Sequence, residues 1–524
     1  MQEMTFLSAE HYRQPFLDAE LSGVFMSAEG QEIRVPGFWA GGNVWKLRFA
    51  PPTEGVWRLR TVCSDESNEG LHGRTEEIGV APYTGDNDLL ERGRLRVSED
   101  RRHLEYGDGT PFFWLADTWW MGLCDRLSWP DDFKELTADR VRKGFNVIQI
   151  VAGLYPDMPP TYDERGANEA GFPLNPDHSI VNPAYFDMAD LRIAHLVHSR
   201  LAPAILFCWG YWLLELGEEK MRRFIRYVVA RWGAHPVVWC MAGEGTMPYY
   251  LSKDKVRDAA LQREGWTRMA RFLREIDGHG SLVTIHPPTG YGRDQVEDDS
   301  LLDFEWLQTG HSGYLSLGNN VEHVLAAAAR RPRMPVLVSE ANYEGIRGMA
   351  WQDVQRISFW SAVLSGSCGY SYGANGIWQV NLPAKPFGPS PHDRSWGDMP
   401  WQDAASLAGS GQIGAAARFL RGLPWHALES HPEWVGKPAS KENAYMGAFC
   451  AGTEDLRIVY VPNQWMPPRV LGLPAGSRWS VEYFNPVDGT TEDMGVAVAE
   501  DEGTFALKSP EVMHDWVYVA KRVK

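Results

Sequence analysis

Residues 112–151 read FFWLADTWWMGLCDRLSWPDDFKELTADRVRKGFNVIQIV. An apolar run, FFWLADT (112–118), is followed by an amphipathic stretch, PDDFKELTADRVRKG (130–144), and by a second apolar run, FNVIQIV (145–151). Gly144 stands where a left-handed cap ends a helix before the next strand. This is one strand–helix–strand unit.

The unit repeats. Further strand-like runs are APAILFCWG (202–210), PVVWCMAGE (236–244), LVTIHPP (282–288), DFEWLQTGH (303–311), PVLVSEANYE (335–344) and GYSYGANGIWQ (369–379). The stretch EEKMRRFIRYVVARWG (218–233) carries Phe224, Tyr227, Val228 and Trp232 on one helical stripe and ends at Gly233, a second expected left-handed cap. Eight strands with helices between them are the count for a (β/α)8 barrel. A doubly wound open sheet competes, but it brings a Gly-rich phosphate loop after its first strand. Here that position reads Asp117-Thr118-Trp119-Trp120, with no G-x-G-x-x-G.

On either side the pattern changes to short alternating runs, such as VWKLRFA and VWRLRTV near the N-terminus and WSVEYFNPVDGTT, DLRIVYVPNQW and WVYVAKRVK near the C-terminus. Gly, Pro and Asp-Gly turns bound them, as in β-sandwiches. The expected organisation is an N-terminal β-sandwich over 1–92, a (β/α)8 TIM barrel over 93–430, and a C-terminal β-sandwich over 431–524. The Pro/Gly-rich tract NLPAKPFGPSPHDRSWGDMP (381–400) follows the eighth strand and is expected to lie over the barrel mouth.

Composition narrows the function. A chain of 524 residues has 44% hydrophobic and 23% charged residues, which is globular. Its net charge of -17 argues against a nucleic-acid or anionic-membrane partner, each of which needs a basic face. No apolar run approaches the about 18 residues that would span a bilayer. No signal peptide is visible at MQEMTFLSAEHYRQPF, and the six scattered cysteines form no C-x-x-C, so a cytoplasmic protein with reduced thiols is expected. Trp, at 23, outnumbers Tyr at 19 and Phe at 21. Flat apolar rings suit core packing, and they also suit stacking on the C–H faces of sugars.

In such a barrel, chemistry sits at the C-terminal ends of the strands. Strand four ends in Glu244 and strand seven in Glu340, each after an apolar run. Two carboxylates flanking one cavity are the minimum equipment for glycoside hydrolysis, one donating a proton and the other trapping or stabilising the oxocarbenium-like centre. Glu344 is the reserve nucleophile. The other strand ends supply Asp117, Trp120, Trp209, His286, Gln308, His311, Tyr343, Tyr372, Asn375 and Trp378, a mixture of stacking faces and hydrogen-bonding groups that fits a sugar subsite. His286 and His311 have metal-ligand chemistry, but the first strand lacks the H-x-H that opens metal-dependent barrel hydrolases, so neither metal nor cofactor is expected.

Several segments resemble the apiosidase-like glycoside hydrolase barrels of clan A: LEYGDGTPFFWLADTWW with KGFNVIQIV, REIDGHGSLVTIHPP, DFEWLQTGHSG, PVLVSEANYEG and FWSAVLSGSCGYSYGANGIWQ. The flanking sandwiches resemble the β-domain that precedes such barrels and a small β-domain described as collagen-binding. The resemblance implies a retaining, exo-acting glycosidase with Glu244 as acid/base and Glu340 as nucleophile, releasing a terminal sugar such as the furanose apiose from a small glycoside or oligosaccharide. Two departures stand out. Most clan members carry Asn before the acid/base, where this chain has Gly243. Apiosidases carry Asp in a Gly-Gly-Asp context, where this chain has Ala242-Gly243-Glu244. A non-catalytic sugar-binding protein, an inverting glycosidase and a metal-dependent hydrolase are the alternatives. Homo-oligomerisation is left open.

Overall fold

The computed structural model describes residues 1–462 and 467–523. The ends of the expected strands DLRIVYVPNQW and WVYVAKRVK, at 463–465 and 524, lie outside them. The central sheet contains eight parallel strands: β1 (Trp114–Trp119), β2 (Val147–Val151), β3 (Ala202–Leu206), β4 (Val238–Cys240), β5 (Val283–Thr284), β6 (Glu305–Gln308), β7 (Val336–Glu340) and β8 (Gly369–Tyr372). Strands β1 to β5 pair in sequence order, β6 to β8 do likewise, and β8 returns to β1 with Trp114 opposite Gly369. A ninth strand, Gly290–Tyr291, runs antiparallel on β6. Between β5 and β6 there is no ladder. The seam is held by Asp303 N donating to the Val283 carbonyl (2.8 Å), Val283 N donating to Asp303 Oδ2 (2.7 Å) and Thr284 Oγ1 donating to the Phe304 carbonyl (3.0 Å). The curled sheet is the TIM-type barrel expected, with shorter strands than the apolar runs suggest, because the runs continue past the last ladder pair into the mouth.

Seven helices of the barrel layer are α1 (Asp131–Lys143), α2 (Pro183–His198), α3 (Glu218–Trp232), α4 (Lys255–Ile276), α5 (Leu317–Ala329), α6 (Gln352–Leu364) and α7 (Ala408–Arg421). Gly144 closes α1 at φ 88°, its N–H reaching the Arg140 and Val141 carbonyls. Gly233 does not behave the same way: at φ -60° it stays right-handed. Its role is close approach, because a Cβ there would stand 2.7 Å from the Val229 carbonyl oxygen. The stripe Phe224, Tyr227, Val228 and Trp232 is buried as expected.

Two β regions flank the barrel. Near the N-terminus a four-stranded and a three-stranded antiparallel sheet face each other, with Phe25 and Phe49 stacked between them at 3.8 Å. Arg48 ties this region to the barrel through Asp190 (2.6 Å) and the Arg231 carbonyl (2.7 Å). Near the C-terminus a six-stranded antiparallel sheet docks on α6 and α7. Its contacts are the Arg356–Asp515 pair (2.7 Å), the Trp360–Tyr460 stack and the Phe419–Phe484 stack (4.2 Å). The six cysteines are free and buried.

Candidate active site

Beyond β4 the chain runs Met241-Ala242-Gly243-Glu244 and remains laced to its neighbours. Gly243 N donates to the Cys208 carbonyl (2.9 Å), Gly210 N to the Gly243 carbonyl (2.7 Å), and Gly245 N to the His286 carbonyl (2.8 Å). The Trp209 indole lies directly on Gly243: a Cβ there would stand 2.2 Å from a ring carbon, so only glycine fits. Glu244 itself sits at φ 48°, a left-handed conformation that is strained for a glutamate. The hydrogen bonds on both sides hold it there. Its Oε2 accepts from Trp209 Nε1 (3.2 Å) and its Oε1 from Gln308 Nε2 (3.3 Å).

Glu340, the last residue of β7, is approached by three donors. His311 Nε2 (2.7 Å) and Gln308 Nε2 (2.8 Å) meet Oε1, and His286 Nε2 (3.0 Å) meets Oε2. His286 Nδ1 faces the Pro287 carbonyl at 2.7 Å.

The two glutamates are driven apart in acidity. Burial pushes Glu244 up, and the charges of Glu340 and Asp157 add to it, reaching about 8 against the weaker pull of Trp209 and Gln308. Burial would raise Glu340 too, but the hydrogen bonds from His286 and His311 outweigh it and hold the carboxyl well below the ordinary range. One carboxyl is held neutral and the other ionised, the division of labour that acid/base and nucleophile require.

Both line a cavity of about 390 Å³. Trp120, Trp209, Tyr250, Tyr343, Trp378 and Trp396 form most of its wall, with Gln308, His311 and Asp157 as polar lining. Trp120 Nε1 donates to the Tyr343 hydroxyl (2.9 Å), and the Tyr343 ring lies against His311 (4.5 Å) and Trp378 (6.2 Å). Four buried polar atoms of this lining have no hydrogen-bond partner: Gln308 Oε1, His311 Nδ1, Trp378 Nε1 and Trp396 Nε1. Aromatic faces interleaved with the polar side chains of Gln308, His311 and Asp157 match a molecule rich in hydroxyl groups. His286 and His311 are both engaged on Glu340. Among the described residues no group of three or more His, Cys, Asp or Glu side chains is placed to hold a metal ion.

The cavity thus gathers Glu244, Glu340, Trp120, Trp209, Gln308, His311, Tyr343 and Trp378, with His286 behind Glu340. Three expected sugar-binding residues lie elsewhere. Asp117 is fully buried against α1, paired with Arg140 Nε (2.5 Å) and accepting from Trp119 Nε1 (2.7 Å). Tyr372 donates to Glu344 Oε2 (2.6 Å), not to Glu340, and Glu344 also accepts from Gly409 N (3.1 Å). The reserve nucleophile is therefore sealed in the helix layer. Strand period explains both: alternate residues face opposite sides. Asp117 and Tyr372 have the parity of the outer face, while Trp114 and Ser371, hydrogen-bonded to each other at 3.2 Å, have that of the interior. Asn375 lies past β8 in a buried turn beside Gln379 and does not line the cavity.

Several lining residues escaped the sequence reading. Asp157 follows β2 in a long segment before α2, Tyr250 and Lys255 follow β4, and His392, Arg394 and Trp396 come from the 381–400 tract. The length of these segments was the available signal.

Residues 98–427 match the family model described as Apiosidase-like, catalytic domain, and residues 1–64 match a domain of unknown function, DUF5060. A solved structure titled glycoside hydrolase is 22% identical, with a TM-score of 0.68, covering 84% of this chain and 98% of its own. A glycoside hydrolase family 5 structure from Bacteroides vulgatus ATCC 8482 is 22% identical, with a TM-score of 0.69, covering 83% and 93%. At these identities the likeness speaks to the fold. No curated protein matches the chain. Barrel and carboxylate pair define the class, a glycoside hydrolase of the TIM-barrel type. Within that class, the chain belongs to the apiosidase-like family.

Proposed function

We propose that this enzyme is a retaining, exo-acting glycosidase that releases a terminal sugar, a furanose such as apiose, from a small glycoside. One observation carries the reading: a single amide nitrogen, Gln308 Nε2, is within hydrogen-bond reach of both carboxylates, 3.3 Å from Glu244 and 2.8 Å from Glu340. The two oxygens it meets are separated by no more than the sum of those distances. A shared amide donor holds the two carboxyls close to one another, and close approach is what direct attack by a carboxylate needs.

Glu244 gives its proton to the glycosidic oxygen as the bond to the anomeric carbon breaks, and Glu340 forms a bond to that carbon. Glu244, now ionised and steadied by the Trp209 and Gln308 donors, takes a proton from water. The hydroxide displaces Glu340 and restores the start. Exo action is supported by the 381–400 tract, whose His392 stacks on Tyr250 at 4.9 Å and walls one side of the cavity. A walled cavity takes a chain end.

The test is a panel of para-nitrophenyl pyranosides and furanosides in both configurations, with Glu340→Ala as control and proton NMR of the first-formed anomer. Retained configuration is expected; an inverted first product sinks the mechanism.

A further inference from the structure

A third carboxylate belongs to the same cavity; its charge helps raise Glu244, but it is not one of the two carboxylates assigned to bond making and breaking. Asp157 is 8% exposed and sits at φ 55°, left-handed for a residue with a side chain. Strain of this kind persists where the surroundings fix it, and it gathers at ligand sites. Asp157 N donates to the Tyr250 hydroxyl (2.9 Å), which leaves the hydroxyl's own proton for the Asp157 carboxylate. The Trp396 indole N–H also faces this carboxylate. Arg165, the cation whose charge reaches Asp157, is taken by both oxygens of Asp163 (2.8 and 2.6 Å). A buried carboxylate without its own cation is costly to keep unless donors arrive from elsewhere. Here the open side is the cavity.

We propose that Asp157, framed by Tyr250 and Trp396, is a sugar-recognition subsite: its oxygens accept from a vicinal hydroxyl pair of a neutral terminal sugar, while the Tyr250 hydroxyl and the Trp396 N–H hold the carboxylate in place. An ammonium-bearing sugar fits less well, because Lys255 and Arg394 line the same cavity. Asp157 is then a specificity-determining residue that touches substrate. The assignment rests on the glycosidase reading above.

The experiment uses the full chain, the aryl glycoside that the wild type hydrolyses, its monodeoxy analogues and the matching amino-sugar glycoside. Asp157→Asn is expected to raise KM about tenfold or more, with a smaller change in kcat, the pattern of lost ground-state binding. One deoxy position that costs the wild type about tenfold should cost Asp157→Asn almost nothing, the coupling expected of direct contact. Trp396→Phe should raise KM in the same direction by less. Unchanged KM in both variants, or a loss that couples to no hydroxyl, overturns the subsite while leaving the two-glutamate reading intact. Preference for the amino sugar, lost in Asp157→Asn, overturns the neutral-diol assignment. If Asp157→Asn does not fold, Trp396→Phe with the deoxy panel decides. A wild type that cleaves no glycoside overturns both readings.

Discussion

Glu340 and Glu344 stand four residues apart where β7 gives way to its loop, and both are buried. Glu340 faces the cavity under two histidines and an amide, and it is held ionised. Glu344 faces the helix layer under a tyrosine hydroxyl and a backbone N–H, where burial raises its pKa. The same contrast separates Glu244 from Asp117. Residue type does not separate the two glutamates; their donors and the face they turn to do. The inner face of the barrel does chemistry with groups that the outer face uses to fasten helices.

The largest effect that tests this contrast is at Glu340. Glu340→Ala should lower turnover of an activated aryl glycoside by about 10⁴-fold or more, whereas Glu344→Gln should leave kcat/KM within a fewfold. Comparable losses in both would erase the distinction. Next, Glu244→Ala should cost about 10³-fold on poor leaving groups and far less on dinitrophenyl glycosides, with azide restoring part of the rate. Equal loss on both, without rescue, would count against its role as acid/base. His311→Ala removes a donor from Glu340, so turnover should fall about 10²-fold and the acidic limb of the pH profile should move up. In the wild type the basic limb should lie near pH 8, where Glu244 loses its proton.

The same shift bears on stability. A carboxyl raised in the folded state favours folding below its ordinary value, and that contribution is lost as pH climbs toward 8. Glu244→Gln should therefore be more stable than the wild type at pH 8, by about 1–3 kcal/mol, and indistinguishable at pH 4 in denaturant unfolding. The smallest effect on turnover belongs to Asp117→Asn. It should hydrolyse substrate like the wild type yet lose about 1–3 kcal/mol, because buried Arg140 loses one of its two carboxylate partners and keeps Asp139.

The barrel was legible because eight apolar runs and their intervening amphipathic stretches repeat one unit, and the two glutamates because each closes such a run. What the runs do not carry is facing. FFWLADT gives no sign that Asp117 turns to the helices while Trp120, three residues on, turns inward; strand parity shows only once the register is known. Asp157 was hidden for another reason. It belongs to no strand, and only the folding of a long segment over the mouth brings it beside the glutamates. Gly233 shows the limit of cap rules: a glycine after a helix signals either a left-handed turn or a close neighbour, and sequence alone does not separate them.

The contact between Trp209 and Gly243 has an evolutionary consequence. Installing at 243 the asparagine typical of clan relatives would drive it into the indole. Shrinking Trp209 alone would strip Glu244 of a donor and open a hole. Neither single step is viable, so positions 209 and 243 are bound to change as a pair, and lineages differing at one should differ at the other.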